Sequence, residues 1–223
     1  MGMAHPNEVR YSIGSALTTG RNIDSYEHLL GISVKDFRGK RVLDIGTCYG
    51  TFQEECLGQG VDAIGLDPYY AYRGKSKKII ERHLSVHENR RYKIAGINET
   101  LPFTENSFDA VLSLFSSFFY LGNNYPELAL RREMAKKMFE EIVGVLKPGS
   151  EARIGPTTYP SDMKFYRPIL EEVSENPRTN ISWKFVKSKK DIADHVVLYK
   201  KKSGKMARLT DSIHLFLRNF EKL

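Results

Sequence analysis

KRVLDIGTCYGTF, residues 40–52, decides how this chain is read. It opens on a continuous apolar run, RVLDI (41–45), as expected of a strand buried on both faces. It turns through Gly46 and Gly50, and TFQEECLGQG (51–60) reads as a short helix closed by glycines. A cofactor-binding turn of this kind usually has a third glycine in the middle; here that place holds Cys48. Gly46 and Gly50 permit a tight turn and a close backbone approach to a ligand. The helix behind them presents free N–H groups. Asp44, two residues before Gly46, would repel a pyrophosphate and suits a cationic ligand. The dinucleotide fingerprint G-x-G-x-x-G is met neither in spacing nor in that acid, which argues against nicotinamide and flavin chemistry.

Working outward, VDAIGLD (61–67), RYKIAGI (91–97), FDAVLSLF (108–115) and EARIG (151–155) read as further strands. DSYEHLLG suggests a helix with Asp24 as N-cap, Glu27 three residues on and Gly31 as its stop. Residues 69–89 read as a helix with a basic face. YPELALRREMAKKMFEEIVGVLKPG reads as a long helix closed by Lys147, Pro148 and Gly149. A helix is expected near 162–173. ISWKFVK and HVVLYKK follow as a strand pair, and the tail spaces Leu209, Ile213, Phe216, Leu217 and Phe220 as one helical face. Strands alternating with helices give an α/β fold, a parallel sheet covered on both faces. Ligands of such sheets bind beyond the carboxyl ends of the strands. Residues just after each strand are therefore the informative ones.

After the second strand comes Asp67, 21 residues beyond Gly46 and followed by Pro68. An acid there can grip both hydroxyls of a ribose. After the third, the turn at Ile97, Asn98 and Glu99 is placed to meet an adenine, with Leu101, Pro102 and Phe103 packed beneath. Asp109 opens the fourth strand, points away from the cleft and reads as structural.

The 223 residues, 41% hydrophobic and 27% charged, suit one substantial core rather than two domains. The expected organisation is a single domain, with a lead-in and helix (1–39), a cofactor-binding core (40–155) and C-terminal strands and helix (156–223). A net charge of +7 can mean an acidic partner, but it is mild enough to read as a plain solvated surface first. Two cysteines, Cys48 and Cys56, on one turn and helix argue against a disulfide framework and for a reducing, cytoplasmic setting. No histidine–cysteine spacing suggests zinc, and His83 and His87 lack a third ligand. The N-terminus has no apolar signal region, and no run is long enough to span a membrane.

Taken together, VLDIGTCYG, GLDP, ETLPFTENSFDAVLS and EIVGVLKPGSEARI resemble the class I S-adenosylmethionine-dependent methyltransferases, most closely the branch that acts on small molecules. The resemblance covers residues 40–155 and implies a Rossmann-like, doubly wound sheet of seven strands in the order 3-2-1-4-5-7-6, the last strand antiparallel, with helices on both faces. It implies S-adenosylmethionine as cofactor, S-adenosylhomocysteine as product and a small-molecule acceptor, with no membrane partner. Asp44, Gly46, Thr47, Cys48 and Gly50 would hold the methionine part, Asp67 and Pro68 the ribose, and Ile97, Asn98 and Glu99 the adenine. Ser113 and Leu114 would border cofactor and acceptor. Three positions depart from the family pattern: Cys48 for the middle glycine, Ile97 for a frequent aspartate, and Ser150 for a common glycine.

No residue stands out as catalytic; Tyr11, His28, Ser113, Tyr120 and Tyr159 are candidates to line the acceptor site. DPYY (67–70) resembles the motif of amino-methylating nucleic-acid enzymes but follows the wrong strand. SLFSSFFYLG after strand four is apolar and aromatic, which suits a small or lipophilic acceptor. The basic residues of 73–93, with Lys187, Lys189, Lys190 and Lys200 to Lys202, make an RNA methyltransferase the chief enzymatic alternative. They lack the interleaved aromatic residues on which bases stack. A non-catalytic cofactor-binding or scaffold protein of the same fold is the other alternative.

Overall fold

The structure, a computed structural model, describes residues 21–71, 92–116, 118–157, 160–186 and 194–202. Its strands are β1 (Arg41–Ile45), β2 (Asp62–Leu66), β3 (Lys93–Ile94), β4 (Phe108–Leu114), β5 (Leu146–Thr157), β6 (Ile181–Val186) and β7 (Asp194–Lys200). They form one sheet in the order β3-β2-β1-β4-β5-β7-β6. β7 runs antiparallel to both neighbours and the other pairings are parallel. The helices are α1 (Ile23–Leu30), α2 (Thr51–Leu57), α3 (Leu121–Asn124), α4 (Leu128–Val145) and α5 (Pro160–Glu175).

Because successive strand side chains point to opposite faces, the apolar runs feed two cores. Leu43, Ile45, Ile64, Leu66 and Val111 pack against Met138, Phe139 and Ile142 of α4 and Ile169, Leu170 and Val173 of α5. Val42, Ala63, Ala110, Leu112 and Leu114 pack on the other face against Tyr26 and Leu30 of α1 and Phe52 and Cys56 of α2. The helical residues recur three and four apart, so each helix turns one stripe to the sheet.

Several expected boundaries move, each for a physical reason. The cap of α1 is Asn22, whose side chain accepts from Ser25 N, while Asp24 lies in the first turn. Glu27 does not complete a capping box; its carboxylate accepts from Val34 N at 2.8 Å. β3 spans two residues, not seven, because the chain closes an Ile97–Thr100 bridge just beyond it. α4 ends at Val145 and β5 begins at once, so Lys147, Pro148 and Gly149 lie inside the strand. Opposite them β4 advances from Phe108 to Ala110 while β5 advances from Leu146 to Glu151, a bulge. Gly149, at φ +86°, supplies the left-handed residue there. Lys147 Nζ ties the bulge to Asp109 at 2.8–2.9 Å, which confirms a structural role for that acid. Pro68–Ala71 forms a 3-10 turn where the basic-faced helix was expected to begin. Residues 72–91, over which that helix was expected to continue and which include His83 and His87, lie outside the described residues, as do residues 1–20, 187–193 and 203–223. Among the described residues no helix is long and apolar enough to cross a membrane, and no three metal-ligating side chains cluster.

Candidate cofactor site

The glycine turn leaves β1 at its carboxyl end and is bound to β2, Gly46 N donating to Leu66 O at 2.7 Å. Gly46 has φ +74°, and a Cβ on it would lie 2.3 Å from the Ser116 Cβ. Neither the conformation nor the space admits a side chain. Gly50, at φ +82°, caps α2. Cys48 also has a positive φ, +55°. A cysteine in the middle place is cheap only at negative φ, so this condition is not met and the turn carries a strained non-glycine residue. The nearby start of α2 does not lower its thiol pKa. Burial pushes it up to about 11, and the charge of Asp67 adds to the rise.

Asp44 is fully buried. Tyr26 OH donates to one of its oxygens at 2.7 Å and Gln53 Nε2 to the other at 2.6 Å. Gln53 in turn accepts from Thr47 Oγ1. A relay thus runs from α1 through the end of β1 and α2 into the turn. Tyr26 is held for this by its ring, stacked on Phe52 with centroids 4.1 Å apart. Burial raises the Asp44 carboxyl to about 6, against the pull of Arg21, Tyr26 and Gln53. The expected free carboxylate for a cationic ligand is therefore a carboxyl whose two oxygens are already bonded internally.

Asp67, 5% exposed, follows β2 and accepts from Cys48 N at 2.9 Å. Pro68 begins the next turn, half-buried. Asn98 is 1% exposed, and neither atom of its amide has a hydrogen-bond partner. Glu99 beside it accepts from Tyr125 OH at 2.7 Å, and Ile97 is half-buried. Ser113 Oγ is hydrogen-bonded to Ser116 Oγ. Leu114 differs from its expected place: its side chain lies in the core beneath α1 and α2, so only its backbone borders the cleft.

The strand ends thus bring Asp44, Gly46, Thr47, Cys48, Gly50, Asp67 and Ser113 to one edge of the sheet, with the Asn98 turn beyond β3. Four neighbours escaped the sequence reading. Gln53 could have been found, since with Phe52 and Cys56 it falls on the buried stripe of α2. Arg21, Tyr26 and Ser116 gave no local signal.

Of the acceptor-site candidates, Tyr11 and Tyr159 lie outside the described residues, and His28 is exposed on α1. Tyr120 is half-buried, its ring edge-on to Phe119 at 5.0 Å. A narrow cavity lies beside Ser113 and Ser116, walled by Phe118, Phe119, Phe139 and Tyr166. Its polar groups are already engaged, Tyr166 OH on Phe118 O and Thr157 Oγ1 on Asp194 O. A second hollow, lined by Lys40, Asp109, Glu151 and Arg153, opens at the amino ends of the parallel strands, away from the glycine turn.

The family model of the methyltransferase domain matches residues 43–154, from the middle of β1 into β5. The chain belongs to the methyltransferase domain family. The methyl donor of the class I fold is S-adenosylmethionine, and the strand order is the one expected for that fold. A demethylmenaquinone methyltransferase of Renibacterium salmoninarum is 32% identical over 126 residues, covering 55% of this chain and 44% of that protein. The match therefore spans less than half of the relative's length. Among solved structures, DesVI of Streptomyces venezuelae superposes with a TM-score of 0.53 at 12% identity, over 72% of this chain and 83% of that one. CalS10 of Micromonospora echinaspora, an amino pentose methyltransferase solved with S-adenosylmethionine bound, gives 0.51 at 14% identity, over 75% and 87%. At these identities the likeness is one of fold.

Proposed function

We propose that this protein is an S-adenosylmethionine-dependent methyltransferase acting on a small-molecule acceptor. The observation that carries the reading is the Asn98 amide, buried and unbonded at the strand edge where an adenine would lie. A buried amide without a partner costs about 1–3 kcal/mol, and a purine supplies both the donor and the acceptor it lacks. The residues therefore fit the cofactor. Asp67 would hold the ribose hydroxyls, with Pro68 fixing its turn, and Ile97 and Glu99 would flank the base. Gly46, Thr47, Cys48 and Gly50 would let the chain approach the methionine part, with Asp44 behind them and Ser113 and the Leu114 backbone at the acceptor side.

The bound cofactor supplies a methyl already activated on a sulfonium. What remains for the protein is to align the acceptor with it and exclude water, which is worth roughly 7–11 kcal/mol. The apolar, aromatic stretch that follows β4, SLFSSFFYLG, supports an uncharged, lipophilic acceptor; the cavity beside Ser116 is walled without charge but is itself no larger than a water. The name of the Renibacterium relative, a demethylmenaquinone methyltransferase, agrees with that chemistry. Titration calorimetry with S-adenosylhomocysteine tests the cofactor, and labelled methyl transfer to a panel of hydroxylated aromatic compounds tests the reaction. Binding with no transfer to any small molecule would favour a scaffold role.

A further inference from the structure

The position of Arg21 is not explained by the fold. It lies one residue before the α1 cap and is 9% exposed. Its Nη1 donates to Phe115 O at 3.1 Å and its Nη2 to Gly46 O. The guanidinium is thus pinned on carbonyls at the carboxyl ends of β4 and β1, on the rim of the glycine turn. Its Nε–H is buried with no acceptor. The nearest carboxylates do not take it: Asp44 is bonded to Tyr26 and Gln53, and Asp67 accepts from Cys48 N. A buried cation whose charge Asp44 and Asp67 offset but whose Nε–H is left idle is a poor arrangement for stability alone. It is a suitable one for receiving an anion.

We propose that Arg21 is the carboxylate subsite of the cofactor pocket, its Nε–H donating to the α-carboxylate at the methionine end. The inference rests on the cofactor reading above. It adds which chemical group of the cofactor is recognised there, and by which residue. The other cation near the turn, Lys93, has its Nζ on Glu54 at 3.3 Å and packs against Gly50. Arg21 is the guanidinium that faces the turn among the described residues.

Two ligands separate recognition from support. S-adenosylhomocysteine carries the amino-acid end; 5′-methylthioadenosine keeps the nucleoside and thioether and lacks that end. Calorimetry on Arg21→Ala should show S-adenosylhomocysteine weakened about 10- to 100-fold, the range of one charge-assisted hydrogen bond. 5′-Methylthioadenosine should stay within about threefold, since its contacts lie elsewhere. Equal weakening of both would make Arg21 a prop of the turn and overturn the proposal, as would no weakening of either. Should Arg21→Ala fail to fold, the wild-type protein still decides. It should bind S-adenosylmethionine more tightly than the decarboxylated cofactor by a similar factor, and equal affinities would sink the assignment. A wild-type protein that binds none of these nucleosides would instead refute the cofactor reading itself.

Discussion

Replacing Asp44 by asparagine should change how folding stability depends on pH, and the structure fixes the sign. In the folded protein burial lifts the Asp44 carboxyl from 3.8 to about 6. The folded state therefore holds this proton more tightly than the unfolded chain. From about pH 4 to pH 6 the folded form binds more protons, so this group makes stability fall as pH rises through that window. The full shift corresponds to about 3 kcal/mol. His195 works in the opposite sense. It is buried where β7 passes Gly31 and Gly155, and burial lowers its imidazole from 6.5 to about 4, with Arg153 and Lys184 adding to the effect. Its contribution is present above pH 6.5 and is lost as pH falls through 4. The two windows overlap, so the parent protein's own pH curve hides both, and only the difference between parent and variant isolates Asp44. The amide can be accommodated. Tyr26 OH can donate to its oxygen, and a flipped Gln53 amide can offer Oε1 to its nitrogen and Nε2 to Thr47 Oγ1. Urea unfolding of both cofactor-free proteins from pH 4 to 7.5 should show Asp44→Asn gaining on the parent as pH rises, by up to about 3 kcal/mol. A difference that is flat with pH, or that grows toward acid, would refute the description of Asp44 as a buried, proton-holding carboxyl.

Asp67→Asn keeps an acceptor for Cys48 N but loses the charge offered to a ribose, so S-adenosylhomocysteine should bind at least tenfold more weakly by calorimetry, each charge-assisted bond being worth about 1.5–3 kcal/mol; an unchanged affinity in a folded variant removes the ribose assignment. Cys48→Gly relieves a left-handed residue that costs about 1–2 kcal/mol and adds roughly 0.4–1 kcal/mol of unfolded-chain freedom, so thermal unfolding should show no loss and at most a small gain. A clear loss of stability would mean that the thiol packs too well to give up. Binding to RNA, if measurable, should vanish as salt is raised, because it would run through phosphates alone; tight binding at moderate salt, or methyl transfer to RNA, would overturn the small-molecule reading.

The sheet was legible because its central strands are apolar on both faces and each is followed by a turn of distinctive chemistry. RVLDI, VDAIGLD and FDAVLSLF carry that signal within a few residues each, and their ladders are parallel, as expected. Elsewhere a local signal is overridden by strand pairing. Lys147, Pro148 and Gly149 are an ordinary helix stop, yet pairing with β4 and the Asp109 carboxylate draw them into a bulged strand. RYKIAGI has strand composition along its length, yet only Lys93 and Ile94 find a partner in β2. In the site, the residues that lie on the turns themselves were read directly. Arg21 and Tyr26 were not, because they come from α1 and the residue before its cap, which meet the turn from outside the motif.

That packing changes what the acid of the motif can be asked to do. Read alone, Asp44 before a glycine turn is a counter-charge for a cation. In the fold its oxygens are taken by Tyr26 and Gln53, and with a carboxyl near 6 it serves first to order the turn, through Thr47. The group left with unspent hydrogen-bonding capacity at that end is a cation, Arg21, on the rim of the same turn. A zwitterionic amino-acid end offers both signs of charge. In this protein the side chains already bonded are the acids and the idle one is the base. Recognition through the carboxylate therefore follows from which partners the fold has left open, rather than from which charges the motif displays.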